Sequence, residues 1–155
     1  MKGFTLIELM VAVSVGLVVS GLVIVNYNTY NSTQVLKQAA LTVKNDIRFI
    51  QTKASSGEKP ALGCASLSGW DMTFSQSSYS YRPNCDGVPA GVATTVNLPS
   101  GVTVTSMPAK NPITFFVLAR GTNLDSATTI TLSGSGKQYG IQIGNNGEIS
   151  DIGIQ

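Results

Sequence analysis

The hydrophobic and polar positions divide the chain into three parts. From Phe4 to Val25 most residues are apolar, and Glu8 is the single charge. As a helix this run extends about 33 Å, which matches a bilayer core of about 30 Å. Apolar residues then recur at helical spacing to about 54, and beyond 60 they alternate as in strands. We therefore predict an α+β chain. Its long N-terminal helix, membrane-spanning in its apolar half, packs on a C-terminal antiparallel β domain.

The second part of the helix is predicted to be amphipathic. Its apolar residues share one face: Leu36, Ala40, Val43, Ile47 and Ile50. We expect this apolar stripe to pack against a sheet. The polar residues between them are Lys37, Lys44, Arg48 and Gln51. The basic ones are expected to form a solvated face, with a subunit contact as the alternative. Ser55-Ser56-Gly57 is the predicted stop.

The remaining sequence predicts a run of strands separated by Gly-, Pro- and Asn-rich turns. The candidate strands are 70–75, 78–82, 92–97, 102–106, 113–119, 128–133, 139–144 and 147–152. The strands 128–133 and 139–144 alternate clearly and are predicted to pair as a hairpin. The turn between them, Gly134-Ser135-Gly136-Lys137, weakly resembles a phosphate-binding loop. It lacks the full spacing of that motif and its position between a strand and a helix.

Composition argues against catalysis and against a large nucleic-acid footprint. The chain has no His, which excludes His-based acid–base chemistry and His metal ligands. The carboxylates are scattered, so we predict no enzyme, no metal site and no cofactor. The formal net charge is only +2, which gives no sign of a nucleic-acid surface.

Two cysteines, Cys64 and Cys85, lie beyond the apolar run. Two thiols alone do not make a Cys-rich metal site. If this part of the chain is exported, a single disulfide is the natural interpretation. The alternative is two free buried thiols.

The apolar run itself allows two simpler interpretations. A secretory signal peptide would need a basic n-region, a shorter apolar core and a small-residue cleavage site after it. Here the basic n-region is a single Lys, and no clear Ala-x-Ala site follows the core. A plain transmembrane anchor explains the length but not Glu8. A carboxylate inside an apolar run is costly, so such residues are usually functional and need a partner.

The segment Gly3-Phe4-Thr5-Leu6-Ile7-Glu8-Leu9 closely resembles the processing site of type IV pilins and type II secretion pseudopilins. The resemblance implies cleavage by a prepilin peptidase after Gly3 and N-methylation of the new terminal residue, Phe4. It also implies that Glu8 is the family's assembly acid. The amine freed on Phe4 is a cation, and a nearby carboxylate would neutralise it in a low dielectric. Glu8 could therefore select the register in which subunits dock.

A second, less specific resemblance covers the C-terminal part. The segments 113–121, 129–132 and 141–149 are similar to the ending of GspH/FimT-type minor pseudopilins. A major pilin is the alternative, but its disulfide usually brackets the C-terminal region, whereas these cysteines lie mid-chain. Some relatives bind DNA through a basic motif after the last turn glycine. Here Glu148 follows Gly147, and Asp151 comes soon after, so DNA binding is not expected. The Lys37, Lys44 and Arg48 face is a weaker alternative DNA site.

The resemblance implies the following organisation. Residues 1–3 form a prepilin leader, 4–25 the transmembrane and assembly helix, 26–56 its amphipathic continuation, and 57–155 a β-rich head. The expected partners are the prepilin peptidase, other pilin or pseudopilin subunits, and the inner (cytoplasmic) membrane before assembly. Lys2 favours a cytoplasmic N-terminus with the head outside. The expected function is a minor, priming or tip subunit; the alternatives are a major pilin, or a filament adhesin or DNA-uptake pilin.

Overall fold

The computed structural model describes residues 3–60, 63–119 and 121–155, and for 21–29 and 119 it describes the backbone alone. One helix, α1, runs without a break through Leu6–Ser56, a length of about 76 Å. It ends where the sequence predicts, because Gly57 adopts the left-handed conformation (φ 67°). In that conformation the amides of Gly57 and Glu58 reach the carbonyls of Ala54 and Lys53, at 3.1 Å each.

The rest of the chain forms two antiparallel sheets, which confirms the α+β prediction. The strands are β1 (Leu67–Phe74), β2 (Ser78–Cys85), β3 (Val88–Pro89), β4 (Thr94–Asn97), β5 (Thr103–Ser106), β6 (Ile113–Phe116), β7 (Thr128–Gly134), β8 (Lys137–Ile143) and β9 (Ile149–Ile154). The first sheet has the order β3-β2-β1-β6, with β4 also pairing with β2, and the second has the order β5-β7-β8-β9. The predicted hairpin is confirmed, since β7 pairs with β8.

The buried stripe of α1 packs against both sheets. It comprises Leu36, Ala39, Ala40, Val43, Ile47, Ile50 and Ala54, all fully or almost fully buried. Met72, Phe74 and Tyr79 meet it from the first sheet, and Ile130, Leu132, Ile141 and Ile143 from the second, in one core cluster. Each strand contributes alternate residues because successive side chains point to opposite faces of a sheet.

One predicted strand is too long, and one short strand was not predicted. The strand predicted at 113–119 ends at Phe116 and is followed by a single 3-10 turn, Val117–Ala119. The reason is Leu118, whose left-handed backbone (φ 58°, ψ 38°) cannot continue a strand. The chain turns back there, and the Phe116 amide donates to the Gly121 carbonyl at 3.0 Å. The short strand β3 was not predicted, because two residues give no readable alternation.

The expected solvated basic face of α1 is only partly right. Lys37 and Arg48 are exposed. Lys44, however, is ion-paired with Asp151 on β9. Gln51 donates to the Gly147 carbonyl at 2.7 Å. These two contacts fasten the helix to the last strand and the turn before it, so Lys44 is a structural cation.

A buried tyrosine adds another tie between helix and sheet. The Tyr79 hydroxyl on β2 donates to the Asp46 carboxylate on α1. Burial, followed by this hydrogen bond and the charge of Asp46, raises the pKa of Tyr79 well above its usual value. Burial also raises the pKa of Tyr139, with a contribution from Asp151.

Replacing Tyr79 by phenylalanine should lower the free energy of unfolding by about 1.5 kcal/mol at neutral pH, because a hydrogen bond to a charged group is lost. The substitution should also change how the free energy of unfolding falls at alkaline pH. An unfolded tyrosine loses its proton near pH 10, while folded Tyr79 keeps it, so the stabilisation is complete below pH 10 and is lost as the pH rises above it. Denaturant unfolding at pH 7 to 11 measures both effects. Tyr139 is present in both proteins and serves as the internal control; parallel curves for the two proteins above pH 10 would contradict the assignment.

Candidate functional site

Two side chains that hydrogen-bond to each other organise the start of α1. Thr5 is the N-cap residue, with an extended backbone (φ −82°, ψ 150°). Its amide and its hydroxyl both donate to Oε2 of Glu8, at 2.9 and 2.7 Å, and the Glu8 amide donates to the Thr5 hydroxyl at 3.4 Å. This is a capping box, which satisfies donors that the first turn of a helix otherwise leaves without partners. Thr5-x-x-Glu8 is its sequence signature, a signal that the sequence analysis missed.

The capping box fixes the position of the Glu8 carboxylate. The side chain folds back toward the positive end of the helix dipole, which favours an anion there. Both hydrogen bonds arrive at one oxygen, Oε2. Within the described part of the chain, no hydrogen bond reaches Oε1. One carboxylate oxygen is therefore engaged in helix capping, and the other accepts no hydrogen bond within the described residues.

The bond between Gly3 and Phe4 lies immediately outside the helix. Phe4 is 90% exposed. Gly3 is also exposed, and a Cβ built on it would meet no other atom within 4 Å. The predicted cleavage position is thus an accessible peptide bond at the mouth of α1, one residue before the N-cap. Met1 and Lys2 lie outside the described residues.

The first turns of α1 present an apolar surface. From Phe4 to Val19 the large apolar side chains are exposed. The serine hydroxyls in this stretch are satisfied inside the helix: Ser14 donates to the Val11 carbonyl at 2.9 Å, and Ser20 to the Gly16 carbonyl at 2.7 Å. Hydroxyls whose hydrogen bonds are made within their own helix can enter an apolar environment at a low free-energy cost. Measured by length and apolarity, no helix in the described residues qualifies as a membrane span.

The two cysteines form the predicted disulfide. Cys64 and Cys85 are bonded, with their Cα atoms 5.5 Å apart. The bond joins the segment that follows α1 to the last residue of β2. It therefore fixes the connection between the helix and the first sheet.

The buried acid Asp71 has a structural environment. On β1 its carboxylate accepts hydrogen bonds from Asn84 on β2 at 2.9 Å and from Thr114 on β6 at 2.7 Å. It thus links three neighbouring strands. Among the described residues, no group of three or more His, Cys, Asp or Glu side chains could hold a metal ion. The Gly134–Lys137 segment is the tight turn of the β7–β8 hairpin, with Ser135 and Gly136 at positive φ, as the hairpin prediction requires.

The predicted site residues fall into two places. Gly3, Phe4 and Glu8 lie together at the beginning of α1, and the disulfide lies at the far end of the helix. Near the last turn, Glu148 is exposed, while Asp151 is taken by Lys44. The pairing of Lys44 removes one cation from the alternative DNA site proposed for the helix face.

Comparison with known proteins gives one match. Residues 1–24 match the family described as "Prokaryotic N-terminal methylation motif". The motif supports a type IV pilin-like chain and points to a structural subunit, and it does not reach the C-terminal segments for which a GspH/FimT-type resemblance was predicted. No curated protein and no solved structure matches the chain.

Proposed function

We propose that this chain is a structural subunit of a type IV pilus or of a type II secretion pseudopilus. The observation that carries the proposal is the methylation motif at residues 1–24, joined to a Glu8 carboxylate that is fixed beside the exposed Gly3–Phe4 bond. The role is assembly, since the motif points to a structural subunit and the described carboxylates build no catalytic arrangement.

Processing is the first proposed step. A prepilin peptidase removes the leader, residues 1–3, by cleaving after Gly3, and Phe4 then carries the new amine and its methyl group. The accessibility of this bond supports the assignment, because a peptidase needs an extended segment outside the helix. Thr5 remains as N-cap after cleavage, so the capping box with Glu8 survives.

Membrane anchoring and assembly follow. Before assembly, the segment 4–25 holds the chain in the inner membrane, with the segment 26–56 and the head 57–155 outside. Neighbouring subunits then bury their apolar helices against one another. Oε1 of Glu8, which accepts no hydrogen bond within the described residues, then accepts one from the Phe4 amine of a neighbouring subunit. The exposed apolar side chains from Phe4 to Val19 support this step.

Mass spectrometry of the chain from purified filaments tests processing. We expect a protein that begins at Phe4 and carries one added methyl group. A host without the prepilin peptidase provides the control, in which the chain should begin at Met1 and stay out of filaments. An assembled chain that still begins at Met1 would rule out the proposed function.

Within this class we propose a minor role, as a priming or tip subunit, because the disulfide joins Cys64 to Cys85 and leaves the C-terminal strands unbridged. A major subunit is the alternative role. The number of copies per filament separates the two roles: a few copies indicate a minor subunit, and a majority of the filament mass indicates a major one.

A further inference from the structure

The turn between β8 and β9 contains an asparagine that is followed directly by glycine, Asn146-Gly147. Asn146 is exposed, and this is the one Asn-Gly pair in the sequence. In any peptide, the backbone nitrogen of the following residue can attack the side-chain amide carbon of asparagine and close a five-membered ring. Glycine obstructs this attack least, because it has no Cβ and its backbone is the most permissive.

The turn holds the two reacting groups in opposite ways. The Asn146 side-chain oxygen accepts from the Glu148 amide at 3.0 Å, which polarises the amide carbon and directs the side chain toward the following backbone. The attacking group, the Gly147 nitrogen, is withheld, because its N–H donates to the Gly144 carbonyl at 3.0 Å. Gly147 also has the left-handed backbone (φ 85°) that a three-residue hairpin loop needs at this position. The side chain is thus prepared for the reaction, and the nitrogen can react only when the turn opens.

Contacts from two other parts of the fold keep the turn closed. Gln51 of α1 donates to the Gly147 carbonyl at 2.7 Å. The Thr122 amide donates to the Asn145 carbonyl at 2.8 Å, and the Thr122 hydroxyl donates to the Gly144 carbonyl at 3.2 Å. Gly147 itself is buried. A turn held in this way opens less often than a free loop, because opening breaks several hydrogen bonds at once.

We propose that Asn146 is a site of spontaneous deamidation, which the closed turn restrains. When the turn opens, hydroxide removes the Gly147 amide proton, and the nitrogen attacks Cγ of Asn146. The bond between Cγ and the side-chain nitrogen breaks, ammonia leaves with a proton taken back from water, and a cyclic imide joins the two residues. Water then adds to one of the two imide carbonyls and reopens the ring, which gives aspartate or isoaspartate. Water is the only co-reactant, and the inference goes beyond the proposed function without depending on it.

Either product weakens the contact between this turn and α1. Aspartate places a second carboxylate beside the exposed Glu148, and the two like charges repel each other. Isoaspartate routes the main chain through Cγ and lengthens it by one carbon, which shifts the Gly147 carbonyl relative to Gln51. Deamidation should therefore loosen the helix from the turn that precedes β9.

Peptide mapping by mass spectrometry of the detergent-solubilised full chain tests the site and its restraint. During incubation at mildly alkaline pH, the amide at residue 146 should be converted to an acid several-fold faster in the denaturant-unfolded chain than in the folded chain. Asn97, which is exposed but followed by Leu98, is the internal control and should change little in either sample. No conversion at residue 146 after unfolding would reject the site. Equal rates in the folded and unfolded samples would reject the restraint.

Two glutamines of α1 separate this restraint from a general effect on the helix. Gln51→Ala removes the hydrogen bond to Gly147 and should raise the deamidation rate of the folded chain several-fold. Gln38→Ala is the matched control, because residue 38 lies about 20 Å along the helix from residue 51 and should leave the rate unchanged. Both variants should react like the unmodified chain once they are unfolded. A folded Gln51→Ala chain that deamidates no faster than the Gln38→Ala chain would overturn the role of the closed turn.

The variant Asn146→Ser tests the consequence for the fold. Serine cannot form the imide, and its hydroxyl can still accept from the Glu148 amide. A prolonged incubation should therefore lower the thermal midpoint of the unmodified chain and leave the midpoint of the Asn146→Ser variant unchanged. If both chains lose the same amount on incubation, the loss does not come from this reaction, and the inferred loosening of α1 is wrong.

Discussion

Replacing Glu8 by valine is expected to leave the chain in the membrane fraction while lowering its incorporation into filaments at least roughly tenfold, the equivalent of about 1.4 kcal/mol in the docking equilibrium. Valine suits an apolar environment better than a carboxylate does, so membrane retention should not suffer. Docking should suffer, because the Phe4 amine of the neighbouring subunit loses its proposed counter-charge and would be buried without a partner. Fractionation and quantitative blotting of purified filaments measure the two effects.

Two further variants separate the charge of Glu8 from its part in the capping box. Glu8→Gln keeps an oxygen that can accept from the Thr5 amide but removes the charge. Thr5→Ala removes the cap, at a cost of about 1 kcal/mol in helix stability, and keeps the charge. If the carboxylate sets the register, Glu8→Gln should assemble as poorly as Glu8→Val, and Thr5→Ala should assemble much better. The reverse order would mean that helix capping is the essential role, and normal incorporation of Glu8→Val would refute the registration mechanism.

The sequence predicts α1 well because its signals are local. Each signal depends only on residues within a few helical turns: the long apolar run, the apolar stripe at helical spacing and the glycine that ends the helix. The observed helix ends at Ser56, directly before Gly57. The β7–β8 hairpin was predictable for the same reason, since a tight turn joins two alternating strands. The split into two sheets was not, because it depends on partners far apart in the chain, such as Trp70 opposite Phe115.

The candidate site was likewise predictable where its signals are local and not where they depend on distant residues. The resemblance at residues 3–9 predicts Gly3, Phe4 and Glu8 as the site, and the structure adds that Glu8 is positioned by Thr5, a detail readable from the Thr5-x-x-Glu8 spacing. The pairing of Lys44 with Asp151 could not be read from the sequence, because the two residues are 107 positions apart and meet only after β9 joins the second sheet. The turn at Leu118 was missed because leucine gives no turn signal, and its left-handed backbone lies inside the loop that the hydrogen bond between Phe116 and Gly121 closes.

Removing the disulfide is expected to have the second large effect, this time on stability. Cys64 and Cys85 are separated by 21 positions. In the chain-entropy model a loop of this size gives a stabilisation of about 3 kcal/mol. A double Cys64→Ala, Cys85→Ala variant should therefore melt roughly 10 °C or more below the unmodified chain, given a shift of about 4–8 °C per kcal/mol for a domain near 100 residues. Differential scanning calorimetry of the detergent-solubilised chain measures the midpoint.

The matched control is the unmodified chain after reduction, which breaks the same bond and removes no atoms. The fall in thermal midpoint that both samples share reports the cross-link. Because Cys85 is buried, any further fall in the double variant reports the space left by its sulfur. The common loss should dominate, because the bond constrains the segment between the end of α1 and the first sheet and so limits the unfolded chain. If reduction leaves the midpoint unchanged, the cross-link adds no stability, and the packing of α1 against the two sheets is sufficient to hold the head together.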